Sequence, residues 1–421
     1  MSHYAIIAPP LYSHVRALEA LGQQLIARGH HITFFQQAEA RALLSDARIG
    51  FCAVGEQTHP PGSLARTLNV TAHPFGPGLF RLINDLAGTT DMLCRELPAA
   101  LERCAVDGVI VDQMEPAGGL VAEALGLPFV SVACALPVNR DETIPLPVMP
   151  FLYSTSARSH KRYAASTRIH DWLMRRQGDV IAFHAERFGL TARRGLHECL
   201  SPLAQISQTI DAFDFPRHLP ACFHAVGPLR PAQATAIDAQ EVPDEPLIFA
   251  SLGTLQGHRY RLFHTIAAAC RQRNVRLLIA HCGGLNARQA ATLAATGARV
   301  TDFAEQPAIL RQAQAVITHG GLNTVMDAIA SGTPVLAIPL AFDQPGVAAR
   351  IEYSGIGRRA SRFACSRSLA DKLGDLLSNP RYRQRLTAMQ PALQQAGGAR
   401  LAARIVEQAL GSRRPVLAGA A

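Results

Sequence analysis

Residues 314–339 constrain this chain more than any other stretch. They read QAVITHGGLNTVMDAIASGTPVLAIP. Ala315-Val316-Ile317-Thr318 has the β-branched composition of a buried strand. His319-Gly320-Gly321 supplies a turn in which two glycines let the backbone bend sharply and a ligand come close. From Leu322 the period becomes helical: Leu322, Val325, Met326 and Ile329 share one face, and Asn323, Thr324, Asp327 and Ser331 the opposite one. Gly332 ends the helix, and residues 334–339 read as the next buried strand. Such a unit belongs in a parallel, helix-covered sheet.

A helix entered through a glycine turn directly off a strand points free N–H groups and a partial positive charge outward, which suits phosphate. Asn323 and Thr324 add donors in the first turn, and Asp327 offers a carboxylate to a sugar diol. By itself this pattern also fits an ordinary α/β turn whose polar face meets water. The flanks decide between these readings. Upstream stands TDFAEQP at 301–307, and downstream PLAFDQ at 339–344.

The ordered set Phe303-Ala304-Glu305-Gln306, His319-Gly320-Gly321-Leu322-Asn323-Thr324, Asp327 and Asp343-Gln344 resembles the donor-nucleotide signature of UDP-dependent glycosyltransferases. These are inverting enzymes of the GT-B fold that act on small lipophilic acceptors. The resemblance implies that Phe303 stacks on uracil and the Ala304 backbone pairs with the base edge. It further implies that Gln306 binds ribose, that His319, Gly321 and the helix N-terminus hold the phosphates, and that Asp343 and Gln344 hold the sugar hydroxyls. Ser251-Leu252-Gly253-Thr254 is similar to the family's second phosphate-side loop. This chain departs from the best-known plant form at four places: Phe303 replaces Trp, Glu305 replaces Pro, Leu322 replaces Trp and Asp327 replaces Glu. Phe keeps a stacking face, and Asp keeps a carboxylate one methylene shorter.

The N-terminal half opens on a strand at 4–8, a loop over Pro9–His14, a helix carrying Val15, Leu18, Leu21 and Leu25, and a second strand at 31–36. No G-x-G-x-x-G follows the first strand, which argues against a nicotinamide half. His14 falls at the C-terminal edge of that strand, where open α/β sheets bind ligands. Residues 107–112 form a later buried strand ending in Asp112, and Pro116 starts a helix at its favoured first position. Taken alone, His14 is more simply an exposed or capping histidine and Asp112 a loop or cap carboxylate. The resemblance implies that His14 is the general base and that Asp112 fixes its tautomer and stabilises its protonated form, as in a Ser-His-Asp triad.

Length and spacing divide the 421 residues into an acceptor domain at 1–228, a Pro-rich linker at 229–246, a UDP-sugar domain at 247–396, and a final helix with a loose tail at 397–421. The fold class expected is α/β, two Rossmann-like doubly wound domains facing across a cleft, with the last helix crossing back to the first domain. An apolar fraction of 48% supports large cores. The net charge of +9 rests on scattered arginines without a compact basic motif, so nucleic acid is not an expected partner. Arg158, Lys161, Arg162, Arg168, Arg175 and Arg176 crowd around Trp172; a solvated basic face is the simplest reading, and a membrane-surface contact the alternative. Residues 118–138 are nearly uncharged but are broken by glycines and prolines, so they do not span a bilayer. Nine scattered cysteines without a C-x-x-C pair, and no signal peptide, indicate a reduced cytoplasmic protein.

No His, Asp or Glu cluster suggests a metal, and the resemblance implies no cofactor beyond the co-substrate. The opening MSHYAIIAPPLYSHVRALEAL is similar to that of a bacterial, carotenoid-glucosylating branch of the family. This implies UDP-glucose as donor, a lipophilic carotenoid as acceptor, and work at the inner membrane surface. A macrolide or flavonoid acceptor, a sugar-nucleotide epimerase of the same build, and a non-catalytic nucleotide-binding protein are the alternatives.

Overall fold

The computed structural model describes residues 1–231 and 246–419. Most of the segment read as a linker, 232–245, therefore lies outside the described residues. Two all-parallel sheets organise the rest. The first has β1 (His3–Ile7), β2 (His31–Gln36), β3 (Gly50–Ala53), β4 (Gly108–Asp112), β5 (Phe129–Ala133), β6 (Gln205–Ser207) and β7 (Phe223–Ala225), in spatial order β3-β2-β1-β4-β5-β6-β7. The second has β8 (Leu247–Ser251), β9 (Arg276–Ala280), β10 (Arg299–Thr301), β11 (Ala315–Thr318), β12 (Val335–Ala337) and β13 (Gly357–Arg359), in order β10-β9-β8-β11-β12-β13. Helices cover both faces, as parallel sheets require.

In each sheet the winding reverses once. The order switches between β1 and β4, where Ile7 pairs with Val111. It switches again between β8 and β11, where Thr318 pairs with Ser251. A crevice opens beyond the strand ends at such a switch point, because the following helices leave in opposite directions. The molecule therefore has two crevices, and the candidate residues cluster at both.

The last helix, Gly398–Ser412, buries Ala402, Ala403, Ile405, Val406, Ala409 and Leu410 in the core beneath the first sheet, against Leu18, Leu21 and Leu25 of the helix Tyr12–Ala27. Glu407 on its outer side bonds Arg28 and His30. Among the described residues after it, 416–418 are docked, where a loose tail was expected. Val416 is buried, its N–H bonds Leu203 O at 2.8 Å, and Ala418 N–H bonds Ala221 O at 2.8 Å. One apolar side chain and two backbone hydrogen bonds suffice to dock a short segment that composition alone marks as frayed.

Candidate functional site

His14 is not in a loop. Leu11 is extended, and the carbonyl of Leu11 accepts from the N–H groups of both His14 and Val15, so the helix Tyr12–Ala27 starts at once and His14 sits in its first turn. A helical position holds the ring more rigidly than a loop would. Asp112, the last residue of β4, lies across the switch point. Its Oδ2 accepts from His14 Nδ1 at 2.7 Å, and its Oδ1 accepts from Met114 N–H at 2.9 Å. Both side chains are buried. This contact fixes the proton on Nδ1 and leaves Nε2 as the acceptor of a substrate proton. Burial pulls the His14 pKa down, but the charge and hydrogen bond of Asp112, with the more distant charge of Asp343, outweigh it and leave it above the ordinary histidine value.

Cys134, just after β5, completes this corner, its Sγ 4.0 Å from His14 O. Burial holds its thiol well above the usual range. Among the described residues, His14, Asp112 and Cys134 form the one grouping able to bring three ligand atoms to a single metal ion, their atoms lying within 4.8 Å of one another. A cation there would take the lone pair or carboxylate that a proton-transfer dyad needs.

The second crevice is built from β8, β11 and the turns that follow them. The helix Leu322–Ser331 begins after Gly321, and Leu322, Val325, Met326 and Ile329 are buried beneath it. Ser251 is buried at the end of β8, and the next turn is helical over Gly253–Gln256, where a plain turn was expected. Gly253 has φ +74°, and a Cβ there would meet His319 Cε1 at 2.7 Å, so the residue must be glycine for the imidazole to lie against this turn. Burial lowers the His319 pKa to about 4, so its ring is neutral and acts as a hydrogen-bonding dipole rather than a cation. Thr254, the next residue after Gly253, is exposed. Phe303 is 66% exposed, leaving a ring face open at the end of β10, and Ala304 follows it half-buried.

Asp327 and Gln306 meet directly: Gln306 Nε2 donates to Asp327 Oδ2 at 2.7 Å, and Thr324 Oγ1 donates to Gln306 Oε1 at 3.3 Å. Arg230 caps the group from the end of the N-terminal half, bonding Asp327 Oδ1 at 3.0 Å and Asn323 O at 3.1 Å. Leu229 beside it is buried in the first core, so these first residues of the expected linker are fixed structure.

Asp343 joins the two crevices. Phe342 before it adopts φ +55°, a left-handed conformation that costs a bulky residue of order 1–2 kcal/mol. The turn sends Asp343 Oδ2 to the N–H of Leu136, beyond β5, at 3.0 Å. Burial raises its pKa, opposed by the Leu136 hydrogen bond and by the charge on His14. Gln344 Oε1 accepts from Leu340 and Ala341 N–H, each at 2.8 Å, which leaves its Nε2 donors for a ligand. The structure thus gathers the expected residues into two groups linked through Asp343. Arg230, Phe342, Cys134 and the Leu136 N–H had no local sequence signal, because each acts through a partner far along the chain.

Two facing Rossmann-like domains with a His-Asp dyad on one and an anion-suited helix N-terminus on the other define a glycosyltransferase of the GT-B architecture. The fold overlays the glycotransferase of kitacinnamycin with a TM-score of 0.76 at 19% identity, covering 97% of this chain and 99% of that one. It overlays the calicheamicin glycosyltransferase CalG4 with a TM-score of 0.73 at 20% identity, over 99% and 100%. Residues 5–391 match the family model described as UDP-glucoronosyl and UDP-glucosyl transferase, and the chain belongs to that family. It is 58% identical to a zeaxanthin glucosyltransferase of Pantoea ananas, over 100% of this chain and 98% of that protein. It is 51% identical to a zeaxanthin glucosyltransferase of Pseudescherichia vulneris, over 99% and 100%.

Proposed function

We propose that this enzyme transfers glucose from UDP-glucose to the hydroxyl groups of zeaxanthin, with inversion at the anomeric carbon, to give zeaxanthin glucosides. The observation that carries the reading is the dyad itself, His14 Nδ1 on buried Asp112, set beside Asp343 at the bridge between the crevices. The two relatives named above act on zeaxanthin by their names, and their identity over full length supports the same acceptor here.

In the proposed reaction the acceptor hydroxyl gives its proton to His14 Nε2 as its oxygen forms the bond to the anomeric carbon. The bond from that carbon to the diphosphate oxygen breaks on the opposite face, and UDP leaves carrying the electron pair. Asp112 stabilises the imidazolium that results. The N–H groups at the start of Leu322–Ser331, the Ser251–Thr254 turn and the neutral His319 ring meet the charge developing on the diphosphate, so the step is assigned no metal. Phe303 stacks on uracil, Ala304 pairs with its edge, Gln306 and Asp327 take the ribose hydroxyls, and Asp343 with Gln344 hold glucose. The ribose must share or displace the Arg230 and Gln306 contacts on Asp327, whose oxygens have lone pairs to spare. Zeaxanthin dwells in a bilayer, so the acceptor is taken from a membrane surface.

The test is transfer from radiolabelled UDP-glucose to zeaxanthin dispersed in neutral detergent, with His14→Ala alongside. Labelled carotenoid from the wild type, lost in a variant that still binds UDP, supports the reading. Binding of UDP-glucose without transfer by the wild type removes zeaxanthin as the acceptor, and transfer retained by His14→Ala removes His14 as the base.

A further inference from the structure

The helix Ala157–Leu173 is held to the body by few groups. Tyr163 and Ser166 are its buried residues, and Tyr163 Oη donates to Leu152 O at 2.6 Å. Its free side has a definite pattern. Arg158, Arg162, Ala165, Ile169 and Trp172 recur at helical spacing on one face, with Lys161 and Arg168 beside them. Ile169 is 60% exposed and Trp172, the sole tryptophan of the chain, 58%. Arg175 follows with its guanidinium 5.8 Å from the Trp172 ring, and Arg162 lies 5.4 Å from Phe151. Exposed Leu152 lies next to this end of the helix.

A solvated basic face explains the cations and leaves the apolar residues unexplained. From 157 to 176 there are six lysines and arginines and one acid, Asp171, which is engaged by Arg140. None of the six forms an ion pair among the described residues, where the neighbouring acids are taken by Arg140 and Arg194. Unpaired cations framing an exposed tryptophan and isoleucine match an anionic bilayer surface, where headgroups meet the charges and the rings and branched chain enter the interface. The position fits as well. Arg140 ties the helix to the segment that leaves Leu136, the residue bonded to Asp343 at the cleft.

We propose that Ala157–Leu173, with Leu152 and Arg175 at its two ends, is a docking surface for anionic phospholipid bilayers, placing the mouth of the cleft at the membrane. Its use rests on the proposed apolar acceptor, while the binding itself does not. No helix among the described residues is long and apolar enough to cross a membrane, so this contact is peripheral.

Flotation of the full chain with vesicles tests the surface. The wild type is expected to float with equal parts phosphatidylglycerol and phosphatidylcholine, to release on raising salt, and to float poorly with phosphatidylcholine alone. The triple change Arg158→Gln, Arg162→Gln, Arg168→Gln should lower the partition coefficient about 100-fold, near fivefold for each charge. Ile169→Ser with Trp172→Ser should lower it also at low salt, which a purely ionic contact would not show. Both variants should unfold at the wild-type temperature and transfer glucose to detergent-dispersed zeaxanthin at the wild-type rate. Equal flotation of wild type and variants overturns the proposal, as does tighter binding of an RNA oligomer than of anionic vesicles through the same six cations. Loss of transfer in all proteins, wild type included, would instead strike the acceptor assignment and leave the docking result standing.

Discussion

At the scale of single residues, the dyad sets the pH behaviour. His14 must be neutral to accept a proton, and its pKa lies above the ordinary histidine value. Activity should therefore fall on the acid side of a bound that lies higher than for a free histidine. Asp112→Asn removes the charge and leaves burial, the opposing influence, in command. The acid limb of kcat/KM should then move to lower pH while the plateau drops by about 10²–10⁴-fold. An unmoved limb would show that another group titrates.

Glu115 titrates differently. Three residues beyond Asp112, it is buried, accepts from Thr90 Oγ1 at 3.1 Å, and caps the helix Pro116–Ala124 through Ala117 N–H. Burial raises its pKa from 4.5 to about 8, with the charge of Asp112 adding to the rise and the two hydrogen bonds opposing it. The folded chain thus holds a proton that the unfolded chain releases. This contribution to stability is complete below the unfolded glutamate pKa and is lost as pH rises through about 8. Glu115→Gln should flatten the fall in Tm over that window, measured by calorimetry at several pH values. Asp112 was readable as the carboxylate that ends a strand, but its burial and that of Glu115 were not, since burial is set by the fold.

At the scale of elements, the donor crevice was the most legible part, because its groups lie in short contiguous runs: the helix Leu322–Ser331, closed by Gly332 at φ +68°, and the strands on either side. The acceptor dyad was legible only through family resemblance, since 98 residues separate its members. What stayed hidden were contacts between elements, such as Arg230 on Asp327 and His319 against Gly253. The latter yields a prediction. Gly253→Ala puts a Cβ 2.7 Å from the His319 ring at a backbone position of positive φ. The strain of about 1–2 kcal/mol and the displaced imidazole should raise KM for UDP-glucose about tenfold, with little change in global unfolding. An unchanged KM would mean that the turn and ring do not touch the diphosphate.

At the scale of the whole molecule, the question is what holds two sheets in register across a cleft. Asp343 to Leu136 is one tie, and Gln256 and Arg259, each 3.2 Å from Ala72 O, are another. Gly346 is a third, since a Cβ there would strike Pro147 O at 2.1 Å. The most buried tie is Arg350, in the helix Gln344–Ser354, whose Nε donates to Asp214 Oδ1 of the N-terminal half at 2.6 Å. Its guanidinium lies 4.2 Å from the Phe215 ring, which Tyr153 and Tyr353 also flank. Nothing near Asp214 or Arg350 in the sequence announces this pair, because they are 136 residues apart and each sits in an otherwise ordinary segment. Asp214 also faces the buried Arg217, whose Nη1 lies 3.7 Å from its Oδ2, and breaking a buried ionic group by removing one member costs about 3–5 kcal/mol when a charge is left stranded. Arg350→Met should therefore destabilise in urea, and Arg350→Met with Asp214→Asn should destabilise further, because the buried Arg217 guanidinium then loses its carboxylate as well. The same helix carries Asp343 and Gln344 at its N-terminus. Loosening it should raise KM for UDP-glucose in both variants while the pH limb set by His14 stays in place. A pH limb that moved with Arg350 would mean that the domain interface, and not Asp112 alone, tunes the base.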